Sequence, residues 1–113
     1  MLPKKFRLTV SHFVANPALA KSYHGTLVTI SIKNSNFKNT RFVIVVPKRI
    51  DKRASKRHLA KRLMIETLRR QLIKIKEVSD VLIKVKRIIR KEDSTRLENE
   101  ITQLFKRAGL IKE

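Results

Sequence analysis

The chain contains no cysteine and no tryptophan, two glycines and three prolines in 113 residues, and nine acids against 28 Lys and Arg. Each shortage excludes something. Without Cys there are no disulfides, thiolate ligands or Cys nucleophiles, which agrees with a reducing compartment. The three His residues, at positions 12, 24 and 58, lack ligand-like spacing, so no metal site is expected. No apolar run approaches the roughly 18 residues needed to span a bilayer. The opening MLPKKFRLTV has no apolar core of signal-peptide length, so a cytoplasmic chain without a membrane partner is expected. The acids form no paired-carboxylate or Ser/His/Asp pattern, and neither GxGxxG nor GxxxxGK[ST] occurs. No catalytic residue is expected, and any catalysis should belong to a partner.

What is present is apolar content of 42% and a net charge of +19. The first suits one folded unit over residues 1–113, with no linker, repeat or low-complexity tract to divide it. The second is unusual, because such a charge repels itself unless a polyanion shares it. Residues 1–70 carry 17 bases and 2 acids, net +15, whereas 71–113 carry 11 and 7, net +4. The anion-facing surface should therefore come from the first two thirds.

Alternation and periodicity give the elements. A short helix is expected over 11–21, capped by Ser11 and either kinked at Pro17 or starting there. From Thr26, LVTISIK alternates with Val28, Ile30 and Ile32 on one face, which reads as a half-buried strand. NSNFKNT is a turn by composition. RFVIVV, 41–46, is a continuous β-branched run, as expected of a central strand covered on both faces. DVLIKVKRII is a third strand, with Val81, Ile83 and Val85 opposite Lys84 and Lys86. A last helix opens at Ser94 as N-cap, presents Leu97, Ile101, Leu104, Phe105 and Ala108, and ends at Gly109. This order predicts an α/β sandwich in which 46–81 is a βαβ crossover.

Between the second and third of these strands lies PKRIDKRASKRHLAKRLMIETLRR, with ten Lys or Arg against two acids. At 100° per residue Ile50, Ala54, Met64, Ile65, Leu68, Leu72 and Ile75 share one arc. Lys48, Arg49, Lys52, Arg53, Lys56 and Arg70 gather on the other side, and Lys61 points toward the apolar arc and should snorkel. Leu59 and Leu63 interrupt the basic side, where Leu59 is expected to face outward. Bases this dense fit a solvated helix face poorly, since like charges at helical spacing destabilise it. With only five Phe and one Tyr, base stacking is a poor basis for binding, so nucleic-acid contact should run through phosphates, with weak sequence preference and steep salt dependence.

The same residues resemble the protein subunit of bacterial ribonuclease P. Lys48 and Arg49 match the basic pair after a strand, and RHLAKRLMIE, 57–66, resembles the family's basic helix motif. DVLIKVKR and LFKRAGL resemble its last strand and helix, and MLPKKFRL with Phe13 its N-terminus. The resemblance implies an α+β fold: a two-layer sandwich of order αβββαβα, with a four-stranded sheet whose extra short strand lies near 21–24. It also implies a left-handed βαβ crossover, as in domain 2 of ribosomal protein S5, against the usual handedness.

It further implies the non-catalytic protein subunit of a ribonucleoprotein endoribonuclease that matures the 5′ end of tRNA, with chemistry carried by the RNA subunit and its Mg²⁺. The implied partners are that catalytic RNA, one protein per RNA, and precursor tRNA. RNA contacts would fall on Lys48, Arg49, Lys52, Arg53, Lys56, Arg57, His58, Lys61 and Arg62. A cleft for the single-stranded 5′ leader would be walled by Phe13, Val28 and Ile30. The chain departs from the family's pattern at His58 and Leu59, which replace an Asn and an Arg, and at Pro17 and Ile30, where aromatics are usual. A ribosomal or ribosome-associated RNA-binding protein is the alternative reading, and a general DNA-binding module ranks third, lacking a helix-turn-helix signature.

Overall fold

The computed structural model describes residues 2–35, 38–75 and 78–111. Strands β1 (Lys21–His24), β2 (Val28–Asn34), β3 (Arg41–Val45) and β4 (Ser79–Val85) alternate with helices α1 (Val10–Ala15), α2 (Ala54–Gln71) and α3 (Ser94–Arg107), in the order αβββαβα. The sheet order is β1-β2-β4-β3. β1 and β4 flank β2 antiparallel, and β3 joins β4 in parallel through the α2 crossover. Asn36 and Phe37, within the turn expected after β2, lie outside the described residues.

Period-two alternation divides the sheet into two faces. Val28, Ile30 and Ile32 of β2, Phe42 of β3, and Val81, Ile83 and Val85 of β4 enter one core with Ala60, Leu63, Met64 and Leu68 of α2 and Leu97, Ile101, Leu104 and Phe105 of α3. The Phe42 and Phe105 rings stack across this layer at 6.3 Å between centroids. The opposite parity, including Thr29, Ser31, Lys33, Asp80, Leu82 and Lys84, faces the other way, where α1 lies against β4.

Four expectations are corrected. β3 is an edge strand, not a central one, and it is mostly half-buried. Its apolar run is explained by neighbours outside the sheet proper: α2 covers one face, and the N-terminal segment lies along its edge, where the Leu8 N–H donates to the Phe42 carbonyl at 2.9 Å. α1 ends at Ala15, before Pro17, so the proline neither kinks nor starts it, and the cap is Thr9, whose Oγ1 accepts from the His12 N–H. Asn16 has extended backbone angles, as a residue before proline should.

α2 begins at Ala54, so the wheel phase cannot run back to Ile50 or on to Ile75. Ala54 is exposed, while Ala60, Leu63, Thr67 and Gln71 join Met64 and Leu68 on the buried stripe. The two polar members are tied down, Thr67 donating to the Leu63 carbonyl and Gln71 Nε2 to Thr102 Oγ1 at 2.8 Å. Finally, a 3-10 turn at Lys91–Asp93 precedes α3. Asp93 accepts from the Arg90 N–H, and Ser94 donates back to the Lys91 carbonyl instead of capping. The other end matches expectation. Gly109 at φ 77° closes α3, with the Leu110 N–H reaching the Phe105 carbonyl and the Gly109 N–H reaching Lys106, a Schellman closure that satisfies two orphan carbonyls.

Candidate nucleic-acid interface

The basic stretch folds as a turn followed by a helix. Pro47 stops β3 and the Ile50 N–H closes on the Pro47 carbonyl, which places Lys48 and Arg49, both exposed, on a turn and not on the helix. Asp51 then organises the entry into α2. Its carboxylate accepts the Arg53 N–H at 3.0 Å and both arms of the Arg53 guanidinium at 3.1 and 3.0 Å. The side-chain hydrogen bond from Arg53, followed by its backbone N–H, holds the Asp51 carboxyl below the usual range. An anion immediately before a helix also complements the helix dipole.

Arg57 is half-buried, and its Nη1 donates to the carbonyls of Asp51 and Lys52 at 3.0 and 2.9 Å, bracing the same loop. Arg53 and Arg57 therefore shape the surface as well as charging it. Lys48, Arg49, Lys52, Lys56, His58, Lys61 and Arg62 are all exposed, on the turn, the loop that follows it and the first half of α2. Lys61 lies at the rim of an apolar groove with Leu2, Leu8, Ile44 and Ile65. Arg70 is committed elsewhere, its Nε holding Glu98 of α3 at 2.9 Å.

Leu59 is not open. It is half-buried and packed against the core, lining a groove with Ile88 and Ile89 whose rim carries Arg53, Lys56, Arg90 and Lys91. Helix phase explains this: Leu59 precedes the buried Ala60 and lies one turn before the buried Leu63, so it borders the apolar stripe.

The expected leader cleft is only partly assembled. Phe13 of α1 is 6% exposed and sits over the sheet face that α1 covers. Val28 and Ile30 are fully buried on the opposite face, in the core. Strand parity separates them from Phe13, and the residues that share its face are their neighbours Thr29, Ser31 and Lys33. On this face Ser22 and Ser31 pair through their hydroxyls at 3.1 Å, and Thr29 approaches His24 Nδ1 at 3.4 Å. Lys33 Nζ lies 4.7 Å from the Phe13 ring centre and donates to the carbonyls of Phe13 and Asn16.

Beyond Lys33, Asp80 is 1% exposed and holds the Arg41 guanidinium through both oxygens at 3.1 and 3.0 Å. Asn16 Nδ2 donates to the same carboxylate and to the Asn34 carbonyl. Sequence reasoning missed this cluster. The available signal was a charged residue at the head of each apolar strand, Arg41 and Asp80, in a pair whose apolar parities face the core. Among the described residues no three His, Cys, Asp or Glu side chains converge as a metal site, and Asp51 and Asp80 are both taken up by arginines.

A family model described as Ribonuclease P matches residues 2–109. Solved structures with similar folds include a Staphylococcus aureus RNase P protein mutant with defective mRNA degradation activity, at TM-score 0.82 and 17% identity over 96% of this chain and 92% of that one. The RNase P protein from Thermotoga maritima superposes at 0.71 with 22% identity, covering 89% and 96%. Another Staphylococcus aureus RNase P protein gives 0.73 with 20% identity, covering 100% and 97%. No curated protein sequence matches the chain. At these identities the structures speak for the fold, and the family model, matching nearly the whole chain, shows the membership: the chain belongs to the Ribonuclease P family, as a protein component of bacterial type.

Proposed function

We propose that this protein binds the catalytic RNA of ribonuclease P through the Lys48–Arg62 surface and receives the 5′ leader of precursor tRNA on the sheet face beside α1. The observation that carries the reading is the density of exposed bases, Lys48, Arg49, Lys52, Lys56, Lys61 and Arg62, on the turn, the loop after it and the first half of α2, with the acid among them, Asp51, spent on Arg53. A rigid helix sets such charges at 1.5 Å per residue, which suits a fixed array of phosphates more than a mobile polyanion. Arg53 and Arg57 hold the turn that presents Lys48 and Arg49.

In this reading hydrolysis is carried by the RNA, and Mg²⁺ is held mainly by that RNA. The protein supplies fixed positive charge where strands converge, and so replaces part of the divalent screening. The direct test is cleavage of precursor tRNA by a matching catalytic RNA, with and without this protein, across a Mg²⁺ titration. The protein should raise cleavage most at low Mg²⁺ and be inert alone. Mg²⁺-dependent cleavage by RNA-free protein, or purification with ribosomal RNA in place of one structured RNA, would overturn the assignment.

A further inference from the structure

α1 has six residues, well below the roughly 12–15 at which an isolated helix becomes even marginally stable. Its own packing is slight. Phe13 is its single buried side chain, while Val10 and Val14 point to solvent at 46% and 70% exposure. What ties it down is polar. Lys33 Nζ donates to the Phe13 carbonyl at 2.8 Å and the Asn16 carbonyl at 3.0 Å, both at the C-terminal end of the helix, while lying over the Phe13 ring. A cation there satisfies carbonyls that no further turn can reach and complements the negative end of the helix.

One residue on, Asn16 is anchored to the ends of two strands, donating to the Asn34 carbonyl at 2.9 Å and to buried Asp80 at 3.3 Å, where Arg41 holds the same carboxylate. Its Oδ1 accepts the Ala18 N–H, so the chain leaving α1 is held as well. A short helix thus stands on the sheet by one ring and one polar latch.

We infer that Lys33, acting with Asn16 and Asp80, is a positioning residue that holds α1 as the wall of the leader cleft, and that its charge is spent on α1 and not on a leader phosphate. The inference rests on the leader-cleft reading above and goes beyond it in assigning the wall's position to particular side chains. Lys33 differs in this from the exposed bases of α2: its ammonium already has two carbonyls and a π face as partners. Removing it should loosen the wall without subtracting a phosphate contact.

The test uses the holoenzyme reconstituted with a matching catalytic RNA, carrying wild-type protein, Lys33→Met or Lys33→Arg, on precursor tRNAs with a long leader and with a one-nucleotide leader. Lys33→Met keeps the stem over Phe13 and loses the ammonium. It should raise KM for the long-leader substrate about tenfold more than for the short-leader one, the scale of a charge-assisted hydrogen bond, with kcat retained. The log-log salt slope of leader-dependent affinity should not move, and amide exchange at α1 should quicken while the strands keep their protection. Lys33→Arg, which can still donate to both carbonyls, should recover most of the loss.

A fall in that slope of about 0.7 would show that Lys33 touches a leader phosphate and overturn the positioning role. An unchanged long-leader KM in a wild-type complex that does distinguish leader lengths would overturn it too. A wild-type complex indifferent to leader length defeats the cleft reading itself, and the wall's role with it.

Discussion

At the scale of single residues, the telling positions are those where charge and packing compete. Leu59 stands where the family's pattern has a base, and its half-buried place beside Ile88 and Ile89 makes it part of the packing. Leu59→Arg should therefore destabilise the fold, by about 1–3 kcal/mol for a polar group forced into a partly apolar site, and thermal denaturation reads this directly. A variant that melts with the wild type and binds RNA more tightly would show the position to be open. Asp51 gives a pH signature. Its carboxyl is depressed chiefly by the Arg53 side chain, so its contribution to stability is complete above the unfolded-chain value near about 3.9 and is lost as pH falls through the lower folded value. In an NMR titration of the carboxyl carbon, Arg53→Met should move the midpoint up toward that unfolded value. A midpoint that stays put would mean that Arg53 is not the cause.

At the scale of elements, long-range clamps hold the short pieces. Glu100 of α3 accepts the N–H groups of Thr26, Leu27 and Val28 at 2.8, 2.8 and 3.0 Å, tying the β1–β2 turn to the helix layer. Gly25 makes room for it, since a Cβ there would come within 2.6 Å of the Glu100 carboxyl carbon. Glu100→Gln replaces one acceptor by a donor that faces backbone N–H groups. It should cost about 1–3 kcal/mol, read as a lower urea midpoint with unchanged m-value. A loss below about 0.5 kcal/mol, the ordinary effect of a surface change, would mean the turn holds by itself.

At the scale of the whole molecule, the net charge of +19 is divided between bases paired within the fold and bases left exposed. Arg41, Arg70 and Lys33 are paired within the fold, whereas Lys61 and Arg62 are exposed on α2. Replacing both by Ala should weaken binding to the catalytic RNA and flatten its log-log salt dependence by roughly 0.7 to 0.9 per lost phosphate contact, with melting little changed. Weaker binding at an unaltered slope would assign the pair to the fold.

Much of this architecture was legible from pattern alone. Alternation in β2 and β4 and the stripe of α3 fall where period two and period 3.6 place them, and Gly109 marks the end of α3 because only that backbone conformation closes the helix so tightly. The density of bases at 48–62 was likewise visible, since charge needs no fold to be counted. What the tertiary structure decided is which side of the sheet matters and what each charge is for. An apolar parity shows that Val28 and Ile30 share a face, but not that this face meets α2 and α3 while Phe13 lies across the sheet. An apolar run does not say that β3 stands at an edge, because burial by a helix and an N-terminal segment reads the same as burial between strands. Lys33 differs from Lys61 only in what surrounds it: strand pairing brings Phe13 and Asn16 to the first, and such contacts between residues distant in sequence are set by packing, not by local propensity.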